Sequence, residues 1–478
     1  MLDSMNLQRL VAAALPAVLV LAAPGAARAE IRTAAVTPAI AARIDAMLEA
    51  AIVHQHLPGV AVAVERDGTV IFARGYGYRN LAQRAPDDEH TVFNIASASK
   101  QFCASSIMLL QEAGKLSVDD KLSRFFPSYA HGGEITLREM LNHTSGIPDY
   151  TDLPKLPHHA SPQQYFALVS KLPLEFTPGS RYQYSNTNYV VLAMIVQQVS
   201  GESYGRFVTE RLYGPTGMTG ASIHRLPSDV PDGATGYSWD GKKIVTVVRT
   251  PDDFGFGDGD VNASVVDLMT WDAALDGGKV VDADSWREMT TIPHAQGETA
   301  TSGYGFGLEL DELNGRHYVY HGGAQYGFKT VNGTLPDQHF AVVLVSNSDA
   351  FYQYWLIKQI IALFYPPTPA QAAAPVPGDD PAIRRAALTL FARMQSGTIA
   401  KSRRYSPDFN AGLKGARAET QRVGAIGPVR SAVFGGMFYR GGALIYPYLL
   451  TFPHAVVNYY YVLGKDGRVG GAVFQRAD

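Results

Sequence analysis

Thr91-Val92-Phe93-Asn94-Ile95-Ala96-Ser97-Ala98-Ser99-Lys100 carries the chain from an extended approach, Thr91 to Ile95, into a helical pattern that runs from residue 97 to 113 and stops at Gly114. A helix places residues i and i+3 on one face, so the Lys100 ammonium is expected beside the Ser97 hydroxyl. In the first turn, Ser97 meets unpaired backbone N–H groups and the positive helix end, both of which favour negative charge on its oxygen. Ser99 would point elsewhere on the same helix. Serine and lysine three apart recur by chance in many chains, so the pair becomes chemistry only with partners from elsewhere.

Two other stretches offer such partners. Tyr184-Ser185-Asn186 stands in a loop after Pro178-Gly179 and before the helical run Val190 to Val199. A phenol and a carboxamide two residues apart can share one face of an extended loop. Tyr184 could then relay a proton, and Asn186 could hydrogen-bond Lys100 and substrate; read alone, an aromatic turn capping the next helix explains the same residues. His321-Gly322-Gly323-Ala324 follows a strand of aromatics, and its paired glycines would let a ligand approach the backbone closely. A tight bend between strands, with His321 half-buried, is the structural alternative.

Around these blocks the chain reads in order. Thr37-Pro38 caps a helix with Ile40, Ile44, Met47 and Leu48 on one face, and Val60, Val62 and Val64 alternate before an Asp67-Gly68 turn and a returning strand. The middle, to about residue 285, is mostly helical. Strands resume at 318–320, 328–335 and 340–346, followed by an aromatic helical stretch ending at Tyr365. The expected fold is α+β, an antiparallel sheet flanked by helices with a helical insert at one edge and a cleft between them. Residues 366–380 are a Pro/Ala-rich linker. Beyond it, Ile383, Ala387, Phe391 and Met394 mark a helix, and four strand patterns between Val429 and Gln475 predict a small C-terminal helix-plus-meander module. This gives domains at 30–365 and 381–478. No titratable cluster in the second suggests chemistry, so scaffolding, a lid or docking is its expected role.

Together the three blocks resemble the signature of the penicillin-recognising serine hydrolases: S-x-x-K, then Y-x-N, then a variant of K-T-G. Tyr184 in the second block and His321 at the head of the third are similar to the class C β-lactamase branch, with its DD-peptidases, D-amino-acid peptidases and family VIII esterases. Leu141-Asn142-His143-Thr144-Ser145-Gly146, Gly257 to Trp271 and Tyr304-Gly305-Phe306-Gly307 extend the likeness over residues 38–364. The resemblance implies that Ser97 attacks a carbonyl, that Tyr184 and Lys100 jointly handle its proton, and that the Ser97 and Ala324 N–H groups form the oxyanion hole. It implies substrate contacts at Asn186, His321, Gly323 and Ala324. The departure is in the third block, where an imidazole and a glycine replace lysine and threonine. Carboxylate recognition is weakened, because His at neutral pH is only partly charged and Gly322 has no hydroxyl. An ester or amide without that anion is therefore favoured over a β-lactam or a D-Ala-D-Ala peptide. A non-catalytic penicillin-binding or sensor protein is the alternative of another class.

The rest of the composition narrows the setting. With 46% hydrophobic and 18% charged residues and a net charge of −3, the chain carries no electrostatic footprint for nucleic acid or anionic membrane, and a small-molecule or peptide substrate is expected. Residues 1–29 read as a signal peptide: Arg9, the apolar run Leu10 to Ala23, and the small-residue site Ala27-Arg28-Ala29. The mature chain is expected to have no membrane span and to be periplasmic or secreted. Cys103, the single cysteine, allows no intrachain disulfide and reads as a small buried residue. Gly201-Glu202-Ser203-Tyr204-Gly205 matches an α/β-hydrolase elbow, but a helix rather than a strand precedes it, so a helix-to-helix joint is expected. His54, His56, His158 and His159 lack ligand partners at useful spacing, and neither metal nor cofactor is expected.

Overall fold

Thr37 caps the first helix, α1 (Pro38–His54), by accepting the Ile40 N–H on its hydroxyl, and Ile44, Leu48 and Ala51 form its buried stripe. The computed structural model describes residues 36–153, 160–240, 242–248, 255–368, 380–413, 427–434, 438–440, 443–453, 456–464 and 466–476. The leader expected at 1–29, most of the linker and the His158-His159 pair lie outside the described residues.

After α1 comes a hairpin of β1 (Gly59–Arg66) and β2 (Thr69–Asn80). Asp67 and Gly68 both take positive φ at its turn, which matches the right-handed twist of the strands it joins. A short β3 (Ala85–Pro86) completes this end of the sheet. The insert follows, built on α2 (Lys100–Glu112), α3 (Asn186–Ser200) and α4 (Val265–Asp276). The chain then returns as β4 (Gly303–Tyr304), β5 (Glu309–Leu313), β6 (Arg316–Gln325), β7 (Phe328–Leu335) and β8 (Phe340–Ser346), closed by α5 (Gln353–Phe364). The eight strands form one antiparallel sheet in the order β3-β2-β1-β8-β7-β6-β5-β4. The expected fold class is what the chain adopts. The insert is less purely helical than expected: short strands at 93–94, 222–223 and 261–263 pair with one another, as do 237–239 and 244–246.

Both faces of the sheet are covered, so its central strands are buried throughout. The period of two sorts their side chains: Ala61, Ala63, Val343 and Val345 join the insert's core, while Val60, Val62, Val64, Val342 and Leu344 join that of α1 and α5. A third core lies within residues 387–469, where α6 (Pro381–Gln395) packs Ala387, Leu390, Phe391 and Met394 against Tyr448, Leu450, Val457 and Tyr459. Its sheet contains β9 (Ser431–Phe434), β10 (Phe438–Arg440), β11 (Ala443–Thr451), β12 (Val456–Leu463) and β13 (Val469–Arg476). The first expected meander strand is described in two pieces, β9 and β10, both paired to β11.

One feature of the register prepares the site. β5 pairs with β6 only as far as Glu309 opposite Tyr320, whereas β7 pairs with β6 through Gln325. Residues 321–325 of β6 therefore have no strand on the β5 side among the described residues, and this is the third motif.

Candidate active site

The approach to Ser97 is a braced turn. Ile95 N–H donates to Val261 O at 3.0 Å, and Ala96 then takes φ +49°. A left-handed non-glycine residue costs about 1–3 kcal/mol and persists only where its surroundings hold it. Here the buried Asn94 holds it: Oδ1 accepts the Ala96 N–H at 2.9 Å, and Nδ2 donates to Gly259 O at 3.1 Å and Asn262 Oδ1 at 3.2 Å. Ala96–Ser99 form a 3-10 turn, and the α-helix begins at Lys100 rather than at Ser97. In a 3-10 turn residues i and i+3 eclipse, so Lys100 stands more directly under Ser97 than an α-turn would put it.

Lys100 is fully buried, and its Nζ donates to Ser97 Oγ at 3.2 Å, Asn186 Oδ1 at 2.8 Å and Asp258 O at 2.8 Å. Asn186 Nδ2 donates to Asp149 Oδ2 at 2.9 Å, which fixes the amide with its oxygen toward the lysine. Burial pulls the lysine down to about 8, against the opposing charges of Asp258 and Asp149. The Tyr184 hydroxyl lies beside Ser97 without an aligned hydrogen bond, and the Tyr184 ring centroid is 4.8 Å from Lys100 Nζ. Burial pushes this phenol well above its usual range.

The third motif corrects two expectations. First, Gly322 and Gly323 make room for the protein itself rather than for a ligand. A Cβ at Gly323 would sit 2.2 Å from Ile95 O and 3.0 Å from the Ala96 Cβ, so this glycine lets β6 lie against the Ser97 turn. A Cβ at Gly322 would sit 1.8 Å from the Tyr354 hydroxyl. Second, His321 is not partly charged. Its Nδ1 is 2.6 Å from Gly322 O, an acceptor only, so Nδ1 carries the proton and Nε2 accepts from the Tyr304 hydroxyl at 2.7 Å. Both nitrogens are used internally, the ring is buried, and burial with the nearby Lys100 charge holds it down to about 3. His321 braces the edge through Tyr304, and Ala324 follows the glycine that seats β6 against the Ser97 turn.

The matched family decides the relationship. The family model described as Beta-lactamase matches residues 40–358. This chain belongs to the β-lactamase family. Among its relatives, the "Putative penicillin-binding protein PbpX" of Bacillus subtilis (strain 168) is 30% identical over 289 residues, covering 60% of this chain and 70% of that protein. A "D-aminopeptidase" of Cereibacter sphaeroides (strain ATCC 17029 / ATH 2.4.9) is 30% identical over 302 residues, 61% of this chain and 57% of its own length. The structure of "the octameric penicillin-binding protein homologue from Pyrococcus abyssi" shares the fold over 91% of this chain and 95% of that chain, with TM-score 0.62 and 22% identity.

In this β-lactamase-family site Ser97, Lys100, Tyr184 and Asn186 meet, with Ser97 on a 3-10 turn rather than in the α-helix and Asn186 opening α3 rather than in the loop before it, and with Gly323 against the Ser97 turn; their supports are not legible in the spacing. Those supports are Asn94, Asp149, Asp258, His143 and Tyr304. His143 lies in the quoted 141–146 block, takes φ +60°, and accepts on Nδ1 from Ser185 N–H and Asn188 Nδ2, each at 3.2 Å. Its proton is therefore on Nε2, burial keeps the ring neutral, and its centroid is 4.2 Å from that of Tyr184. Asp258 and Tyr304 also fall within quoted blocks; Asp149 and Asn94 gave no signal beyond position. Cys103 is buried, and Gly201 ends α3 in a left-handed cap before a new helix at Tyr204, the expected joint. Among the described residues no cluster of His, Cys, Asp and Glu could hold a metal ion.

Proposed function

We propose that this chain is a serine hydrolase that cleaves an ester or amide through an acyl-enzyme on Ser97. The observation that carries the reading is the triple contact of Lys100 Nζ with Ser97 Oγ, Asn186 Oδ1 and Asp258 O. A neutral amine keeps two protons and one lone pair. Asn186 Oδ1 and Asp258 O can only accept, so the two protons go to them and the lone pair faces Ser97, the one partner able to donate. Lys100 is thereby set to take the Ser97 proton as the carbonyl is attacked, and the ammonium then formed holds three acceptors. Tyr184, beside Ser97 and Lys100, passes that proton on: it gives its own to the leaving group and recovers one from the Lys100 ammonium. The N–H groups of Ser97 and Ala324 are the oxyanion donors, and Asn186, besides holding Lys100, meets the substrate.

Relatives named "D-aminopeptidase" support an amide or ester substrate, while the neutral, inward-turned His321 speaks against a β-lactam or a terminal D-Ala carboxylate as the preferred ligand. With the proposed leader at 1–29 the enzyme works in the periplasm or the medium. The test is intact-mass spectrometry after brief exposure to a p-nitrophenyl ester: an acyl adduct on wild type that maps to Ser97 and disappears in Ser97→Ala supports the reading. Undiminished ester turnover in Ser97→Ala would overturn it. An adduct that forms but never turns over would favour the non-catalytic binder.

A further inference from the structure

The open edge of β6 is not empty of charge. Glu309, the last β5 residue paired to β6, faces Tyr320 directly and therefore shares its side of the sheet. Its carboxylate lies close to the Tyr320 hydroxyl and to the Gly322 N–H, the first edge donor beyond the end of β5. Successive N–H groups on one side of a strand are two residues apart, so the next free donor on that edge is Ala324, the oxyanion donor of the proposed mechanism. Glu309 thus stands at the open edge of β6 on the α5 side, one donor position away from the proposed oxyanion N–H.

The surroundings keep that carboxylate in play. Tyr304 pairs with Glu309 from β4, and the Tyr354 hydroxyl of α5 crowds Gly322. The charged groups acting on Glu309 are Asp311 and Lys358, which lie 3.9 Å apart, so one lysine stands against two carboxylates and one negative charge is in excess. His321, at the head of the motif, adds no positive charge.

We propose that Glu309 sets leaving-group specificity: it repels a leaving group that carries a carboxylate and accepts one that is neutral or carries an ammonium. This rests on the acyl-enzyme reading above, with the leaving group lying against the open edge of β6. Like charges brought together in a desolvated cleft cost enough to reverse a substrate preference, and an ammonium gains by the same geometry. Burial raises Glu309 to about 7, so the carboxylate is neutral below that pH and charged above it. Discrimination should strengthen as pH passes 7, and because it is a ratio between substrates, the titration of Lys100 cancels from it.

The test is a series of esters with one acyl group, phenylacetylglycine, and three phenolic leaving groups that differ in charge at the meta position: meta-hydroxybenzoate, meta-(hydroxymethyl)phenol and meta-(aminomethyl)phenol. Wild type should rank them ammonium, neutral, carboxylate in kcat/KM, with roughly tenfold or more between the ends at pH 8. Glu309→Gln should compress that span to within about threefold, and Glu309→Asp, which keeps the charge, should retain the order. Equal rates for all three esters on wild type would overturn the inference while leaving the acyl-enzyme standing, as would an unchanged ranking in Glu309→Gln. If none of the esters acylates Ser97, the acyl-enzyme reading fails and the inference falls with it. The wild-type ranking and the Asp variant decide the matter even if the Gln variant does not fold.

Discussion

Lys100 illustrates how a single burial event creates reactivity. An exposed lysine is almost wholly protonated at neutral pH; at full burial, with three acceptors around it, Lys100 loses its proton near pH 8. Below that pH it is an ammonium and cannot accept from Ser97; above it the lone pair is free. The expected outcome is a kcat/KM that rises with pH through about 8 to a plateau, measured on a neutral ester so that substrate charge does not intrude. Lys100→Met should lower kcat/KM by about 10²- to 10⁴-fold and remove that limb of the profile, since a general base of this kind contributes on that order. Gly323→Ala is the matching probe of the oxyanion side. Its Cβ would meet Ile95 O at 2.2 Å, so β6 must draw away from the Ser97 turn. Loss of one oxyanion donor costs about 10²- to 10³-fold in kcat. A drop of that order with little change in KM is expected, and wild-type turnover in the alanine variant would remove Ala324 from the proposed hole.

Among the elements, the turn at 96–99 and the loop at 182–186 are held by side chains that make no proposed contact with substrate. His143 gathers the Ser185 N–H and the Asn188 carboxamide on one nitrogen, and Ser145 Oγ donates to the other end of that carboxamide at 2.7 Å. His143→Ala would leave two buried donors without their acceptor. Each such loss costs about 1–3 kcal/mol, so urea unfolding should show a fall of that order, along with reduced kcat as Tyr184 loses its backing. Unchanged stability would mean that water satisfies the vacated donors. The elements themselves were legible where periodicity was strong: the Thr37 cap, the Asp67-Gly68 hairpin and the late strands all fall where the pattern puts them. The short strands at 222–223 and 261–263 were not, because two- and three-residue strands carry no periodicity and exist only through tertiary pairing.

On the scale of the whole chain, two of the three hydrophobic cores close within residues 44–361, and the third closes within 387–469. Residues 36–368 produced alone should therefore fold, and calorimetry should show one fewer transition than the full chain rather than a general loss of stability. Collapse of the shortened protein would show that the C-terminal sheet completes the fold. Tyr460 of β12 stands near Tyr352 and Tyr354, the latter packed over Gly322, so removal of the module is also expected to alter KM for esters with bulky leaving groups. The sequence by itself determined the order of the elements, the serine, lysine, tyrosine and asparagine that meet in the cleft, and the family, because these depend on local spacing and residue chemistry. Only the tertiary structure decided which groups carry charge there. Burial leaves Lys100 easy to deprotonate, burial and the sequence-distant Lys100 charge leave His321 neutral, and strand pairing sets Glu309 at the open edge of β6. Desolvation and long-range contact are properties of the folded volume, and no spacing along the chain encodes them.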